Sequence, residues 1–147
     1  MAKYATQHQT AAGTTKTIIN LVGAATIRPK WYDFILGSDA APADVATEFN
    51  ITRTTDAGTG GSALAESPLD PLMVAATGAA TGGTFAAEPS AGPILMNVAL
   101  NQRATFRWVA APGSELITVA TAANGIMCSS VASGGTPNIN MTLMWEE

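Results

Sequence analysis

Two arginines and two aromatic residues fall close together in "LNQRATFRWVAAPGSEL", residues 100–116. Arginine beside aromatic rings is the equipment for stacking on the bases of single-stranded nucleic acid. The spacing argues against that use. On a strand, successive side chains leave opposite faces, so Arg107 points away from Phe106 and Trp108 and the three form no single platform. The aromatics are then expected in a core or a trimer interface, with Arg107 paired to a carboxylate across a strand or a subunit boundary. Pro112-Gly113 fits the two central positions of a type II turn.

Other chemistry-bearing residues are few. His8 is the single histidine, and no nucleophile has a recognisable setting around it. Cys128 is the single cysteine, in "GIMCSSVA", where a small apolar core role is expected. Asp33, Asp39, Asp44, Asp56 and Asp70 are scattered and match no calcium-loop spacing. No H-E-x-x-H, C-x-x-C or phosphate-binding G-x-x-x-x-G-K occurs, and no pair of carboxylates stands out for glycoside hydrolysis. The expectation is a protein that is not an enzyme, with no cofactor and no metal.

The chain has 147 residues, enough for one domain with a real core. Charged residues make up 12%, about half the usual share, so part of the surface is expected to be covered by another subunit. A net charge of −4 argues against a general nucleic-acid partner. The apolar runs are too short, or too interrupted by Gly, Thr, Asn and Pro, to span a membrane, and the opening "MAKYATQHQT" is no signal peptide. Charge is uneven along the chain. Lys3, Lys16, Arg28 and Lys30 all precede the first acid, Asp33. This suggests a basic N-terminal arm lying on an acidic partner.

These residues must be positioned by strands, because helix-period patterns are nearly absent. Short runs rich in Thr, Val, Ile and aromatics occur at 16–22, 27–37, 46–55, 92–101, 104–110, 115–120, 125–132 and 138–146. The last alternates cleanly, with Ile139, Met141, Leu143 and Trp145 on one face. In 92–101 alternation puts Ile94, Met96, Val98 and Leu100 on one face. About eight strands with frequent turn signals predict an all-β, antiparallel β-sandwich or jelly roll. Residues 1–15 are expected to be an extended arm and 16–147 the single domain. Two long Gly-rich loops are expected at 54–71 and 76–93, of a length that usually carries function.

The stretches "WYDFILGSDAAPADVATEFNITRTTDAGTG" (31–60), "LDP" (69–71) and "LNQRATFRWVAAPGSELITVATAANGI" (100–126) together resemble the capsid decoration, or cement, proteins of tailed bacteriophages that carry a jelly-roll fold. The resemblance covers most of the chain and rests on overall pattern. It implies a homotrimer, made in the host bacterial cytoplasm, seated on the outer surface of the virion head. There it would bind the major capsid protein and stabilise the shell. With that implication, Lys3, Tyr4, Lys16, Arg28 and Lys30 are the candidate capsid-binding residues. Phe106, Arg107, Trp108 and Trp145 are the candidate core or trimer-interface residues. The competing expectation is a trimeric receptor- or glycan-binding module of tumour-necrosis-factor or complement-head type, using Trp31 or Tyr32 as an aromatic platform.

Overall fold

The computed structural model describes residues 1–147, apart from the side chain of Ala132. It is all-β, and no helix occurs among the described residues. The strands in chain order are β1 (Lys3–Ala11), β2 (Lys16–Val22), β3 (Lys30–Ala40), β4 (Ala46–Thr54), β5 (Ser62–Ala63), β6 (Ser67–Pro68), β7 (Ala79–Gly82), β8 (Ala91–Asn101), β9 (Phe106–Val109), β10 (Leu116–Ile117), β11 (Gly125–Ser133) and β12 (Asn138–Glu146). They form two antiparallel sheets. Sheet A runs β10-β3-β12-β1-β6, with β9 pairing β3 on the same edge as β10; sheet B runs β5-β7-β2-β11-β4-β8.

The architecture is the expected jelly roll. Let β9 and β10 share one position, and set aside the short β5, β6 and β7. The principal strands then lie in the order 1-8-3-6 in sheet A and 2-7-4-5 in sheet B, which is two interlocked Greek keys. The strand total is twelve, not about eight. β5, β6 and β7 come from the two segments read as loops, whose Gly and Pro content hides short pairing segments.

β1 is the fourth added strand and the main correction. Residues 1–15 are not an arm. Lys3–Ala11 pairs with β12 at nine positions, and β6 covers its other edge at Tyr4 and Ala5. Polar residues alternate with Tyr4 and Thr6, which face inward and are buried. Gln7 and Gln9 look outward, and a strand with so few apolar residues reads as solvated chain.

The core lies between the sheets. Ile139, Met141, Leu143 and Trp145 face inward from β12, as their alternation requires, together with Tyr4, Trp31, Phe34 and Leu36 of sheet A. Sheet B supplies Ile18, Ile19, Leu21, Phe49, Ile51, Ile126 and Cys128. Tyr4 stacks on Trp145 with ring centroids 4.7 Å apart. Phe34 meets Trp31 at 6.3 Å, Phe106 at 5.9 Å and Trp108 at 5.5 Å. Burial of each such ring contributes about 2–3 kcal/mol. In β8 the expected common face of Ile94, Met96, Val98 and Leu100 is broken. Register shifts against β4 between Ile51 and Thr54 turn Ile94 out to solvent and bring Leu95 onto the core.

Candidate functional site

The most exposed apolar cluster sits where the two chain ends meet. Ala2 and Glu147 exchange backbone hydrogen bonds of 3.0 Å in both directions, zipping the termini together. The segment after β6 is pinned over this end. The Leu69 amide donates to the Lys3 carbonyl at 2.8 Å, and the Tyr4 hydroxyl donates to the Val74 carbonyl at 3.1 Å. The Glu147 carboxylate accepts from the Thr77 amide at 2.7 Å and the Gly78 amide at 2.9 Å. Asp70 closes a tight turn, accepting from the Leu72 amide at its side chain and from the Met73 amide at its carbonyl, both at 3.0 Å. Gly78 packs beneath. A Cβ there would lie 2.8 Å from Pro29 and 3.3 Å from the Trp145 ring.

These bonds fix a segment whose side chains point away from the protein. Leu72 is 93% exposed, Val74 75% and Leu69 51%. Such a cluster, held rigid and left in water, marks an interaction surface.

Of the five sequence-derived capsid-binding candidates, Lys3 borders it, and Lys30 and Arg28 lie at the same end of the sandwich. Lys3 and Lys30 flank Glu146 across adjacent strands, and Lys30 pairs with Glu146 at 3.6 Å. Lys3 lies over the Tyr32 ring, 5.3 Å from its centroid. Arg28 is exposed and donates to the Thr118 carbonyl at 3.1 Å. Among the described residues, Lys3 and Arg28 have no carboxylate at ion-pair distance. The other two candidates do not join them. Lys16 begins β2 at the opposite end of the sandwich, and Tyr4 is a fully buried core residue. Burial and the nearby Glu147 push the Tyr4 phenol above its ordinary range. The apolar segment itself was missed in the sequence. "LDPLMV" carries a turn signal that masks how exposed its Leu, Met and Val become.

The core or interface candidates are placed as follows. Trp145 is buried in the core, with its indole N–H donating to Thr6 at 3.2 Å. Phe106 and Trp108 face inward against Phe34, half-buried. Arg107 leaves the other face of β9 and grips Asp33 of the adjacent β3 with two bonds, at 3.0 and 2.6 Å. That carboxylate holds the guanidinium pKa above its ordinary value. Ala111–Ser114 is the expected type II turn, closed by a 2.8 Å bond from the Ser114 amide to the Ala111 carbonyl, with Gly113 at φ 84°.

The remaining chemistry-bearing residues are scattered. Burial pushes the Cys128 thiol up to about 12. The His8 ring lies between the sheets against Gly82, where a Cβ would approach it to 2.8 Å. Among the described residues its Nε2 has no hydrogen-bond partner, and no group of three potential metal ligands occurs. Trp31 is buried, which removes it as an exposed platform, and Tyr32 is half-buried beneath Lys3. The outer face of sheet A is a shallow polar trough of about 350 Å³, lined by Gln7, Asp39, Thr105, Asn140 and Thr142 among others.

Comparison with protein-family models, with curated proteins and with solved structures finds no match to this chain.

Proposed function

We propose that the protein is a structural virion protein, a decoration or cement protein that docks on the outside of a phage head as a homotrimer and stabilises the shell. The observation that carries this reading is the pinned end of the jelly roll, where Leu69, Leu72 and Val74 stand exposed next to Lys3. This is a foothold of apolar side chains among charges of both signs, Lys3 and Lys30 with Asp70, Glu146 and Glu147, suited to a shallow apolar recess with a polar rim on the major capsid protein.

Burying a Leu or Val side chain contributes about 1.5–3 kcal/mol before the costs of ordering and association. One foothold of this size is weak. Three on a trimer act together, because the second and third bind at high effective concentration. A trimer that bridges neighbouring capsid subunits stabilises their assembled state over their separated state by mass action.

The test is head binding by surface variants that leave the core intact. Leu72→Asp combined with Val74→Asp is expected to lower affinity for undecorated heads at least a hundredfold without changing the thermal midpoint. Unchanged binding by that variant would remove this end as the docking site.

The amide- and hydroxyl-lined trough on sheet A favours a second reading, a receptor- or glycan-binding module. Its side chains suit neutral, hydroxyl-rich ligands. Binding to a bacterial surface glycan, together with indifference to phage heads, would select it.

A further inference from the structure

His8 points inward from β1, half-buried, with Met141 of β12 opposite it in the pairing. Across the gap between the sheets it meets β7, where Gly82 has room for the ring only because it carries no side chain. Nε2 is at the buried edge of the ring and has no hydrogen-bond partner among the described residues. It faces the end of β7: a Cβ on Gly83 would lie 3.7 Å from Nε2 and 3.8 Å from the Ser62 hydroxyl of β5. β5 and β7 pair with each other at Ser62–Gly82 and Ala63–Thr81, and the Leu64 amide bonds the Ala80 carbonyl at 2.9 Å. This pair closes the base of the loop that carries Leu69, Leu72 and Val74.

We infer that His8 is an acid-sensitive switch on the base of this loop, and that protonation of its ring opens β5 and β7 away from the sandwich. A neutral imidazole leaves one nitrogen lone pair in the dry gap. An imidazolium carries N–H on both nitrogens, so protonation sets a charged donor without an acceptor against β7. That cost is relieved where the structure is held least. β1 pairs with β12 at nine positions, whereas β7 pairs with β2 at four. β5 pairs with β7 at two and is the edge of sheet B.

The charges around the ring either oppose its protonation or are engaged elsewhere. Burial, then Lys16 at the start of β2, hold the imidazole below its ordinary range. Glu88 accepts from the Thr17 amide at 3.1 Å, and Glu66 from the Ala80 amide at 2.8 Å. Asp39 lies on the outer face of sheet A, where Gln9 donates to it. Met141, Ser62, Gly82 and Gly83 carry no charge. The ring takes up a proton more readily once β5 and β7 have parted, so falling pH favours the open form. The switch stands on this geometry and does not rest on the docking reading.

Amide exchange on the free full chain, followed residue by residue, tests this. Corrected for intrinsic rates, exchange at Leu64 is expected to quicken about fivefold or more between pH 7.5 and 5, starting below about pH 6.5. At pH 5 it should be indifferent to low urea, the mark of a local opening, while the β12 amides quicken with urea. His8→Gln keeps Glu66, Glu88 and Asp39 and is expected to remove the rise. No rise at Leu64, the same rise in His8→Gln, or a urea dependence at Leu64 equal to that of β12 would each overturn the inference. Should the variant not fold, the wild type decides. His8 is the single histidine, and its ring resonances are expected to titrate below the ordinary 6.5 in the folded protein. A ring that titrates at 6.5 or above overturns the switch. No phage head enters this measurement, so its failure and the failure of head docking are read separately.

Discussion

Gln102 and His8 are the two side chains whose surroundings make sharp claims. Gln102 plugs the end of the sandwich opposite the termini. Its side-chain carbonyl accepts from the Ala43 amide at 2.8 Å, and its amide donates to Thr47 at 3.1 Å and Ser133 at 3.2 Å. Its own amide bonds the Val45 carbonyl at 3.0 Å, and its carbonyl accepts from the Ser38 hydroxyl. Gln102→Leu keeps the bulk and the backbone bonds, removes the three side-chain bonds and leaves the Ala43 amide without its acceptor. The expected cost is about 2–4 kcal/mol, read as a lower urea midpoint at unchanged slope; an unchanged midpoint would show the plug to be dispensable. His8 is a pH lever. Burial, then the charge of Lys16, depress its pKa below the ordinary 6.5. The unfolded chain then takes up a proton at a higher pH than the folded one. Its contribution to stability is therefore complete above about pH 6.5 and is lost as pH falls from there toward the folded-state value. Urea midpoints should drop between pH 7.5 and 5, and His8→Gln should flatten that part of the profile; an equal drop in the variant would place the titration elsewhere. Neither role was legible in the sequence. Gln102 lies in a polar stretch like any loop, and its value comes from three distant segments converging on it. The opposite holds for Arg107, whose separation from Phe106 and Trp108 follows from alternation alone.

At the scale of elements, alternation and turn chemistry carried most of the reading. The bounds of β2 and β12 and the Pro112-Gly113 turn were visible because apolar period and punctuation agree there. β1 was not, because its inward positions are Tyr4, Thr6 and His8, a mixed set whose burial depends on β12 and β7 arriving from far along the chain. The consequence is testable. A free arm could be removed without harm, but deleting residues 2–15 takes an interior strand and the Tyr4–Trp145 stack with it. The truncated protein is expected to be unfolded or insoluble, with no cooperative thermal transition. A folded truncation would contradict the observed strand order. Likewise, Ile94 does not share the face of Met96 and Leu100 as alternation suggested, because register shifts leave no mark in an otherwise alternating run.

At the scale of the molecule, the apolar surface expected from the low charge of the chain is found at the end where Leu69, Leu72 and Val74 stand exposed next to Lys3. Sequence pattern suggested a covered surface but could not place it, since its position depends on which turns the fold pins in the open. The most direct measurement is imaging of undecorated phage heads after mixing with the purified protein. The expected image shows three-lobed knobs at the three-fold positions of the lattice, with the termini end of each lobe against the shell. Bare heads, or knobs attached by the opposite end around Gln102, would contradict it.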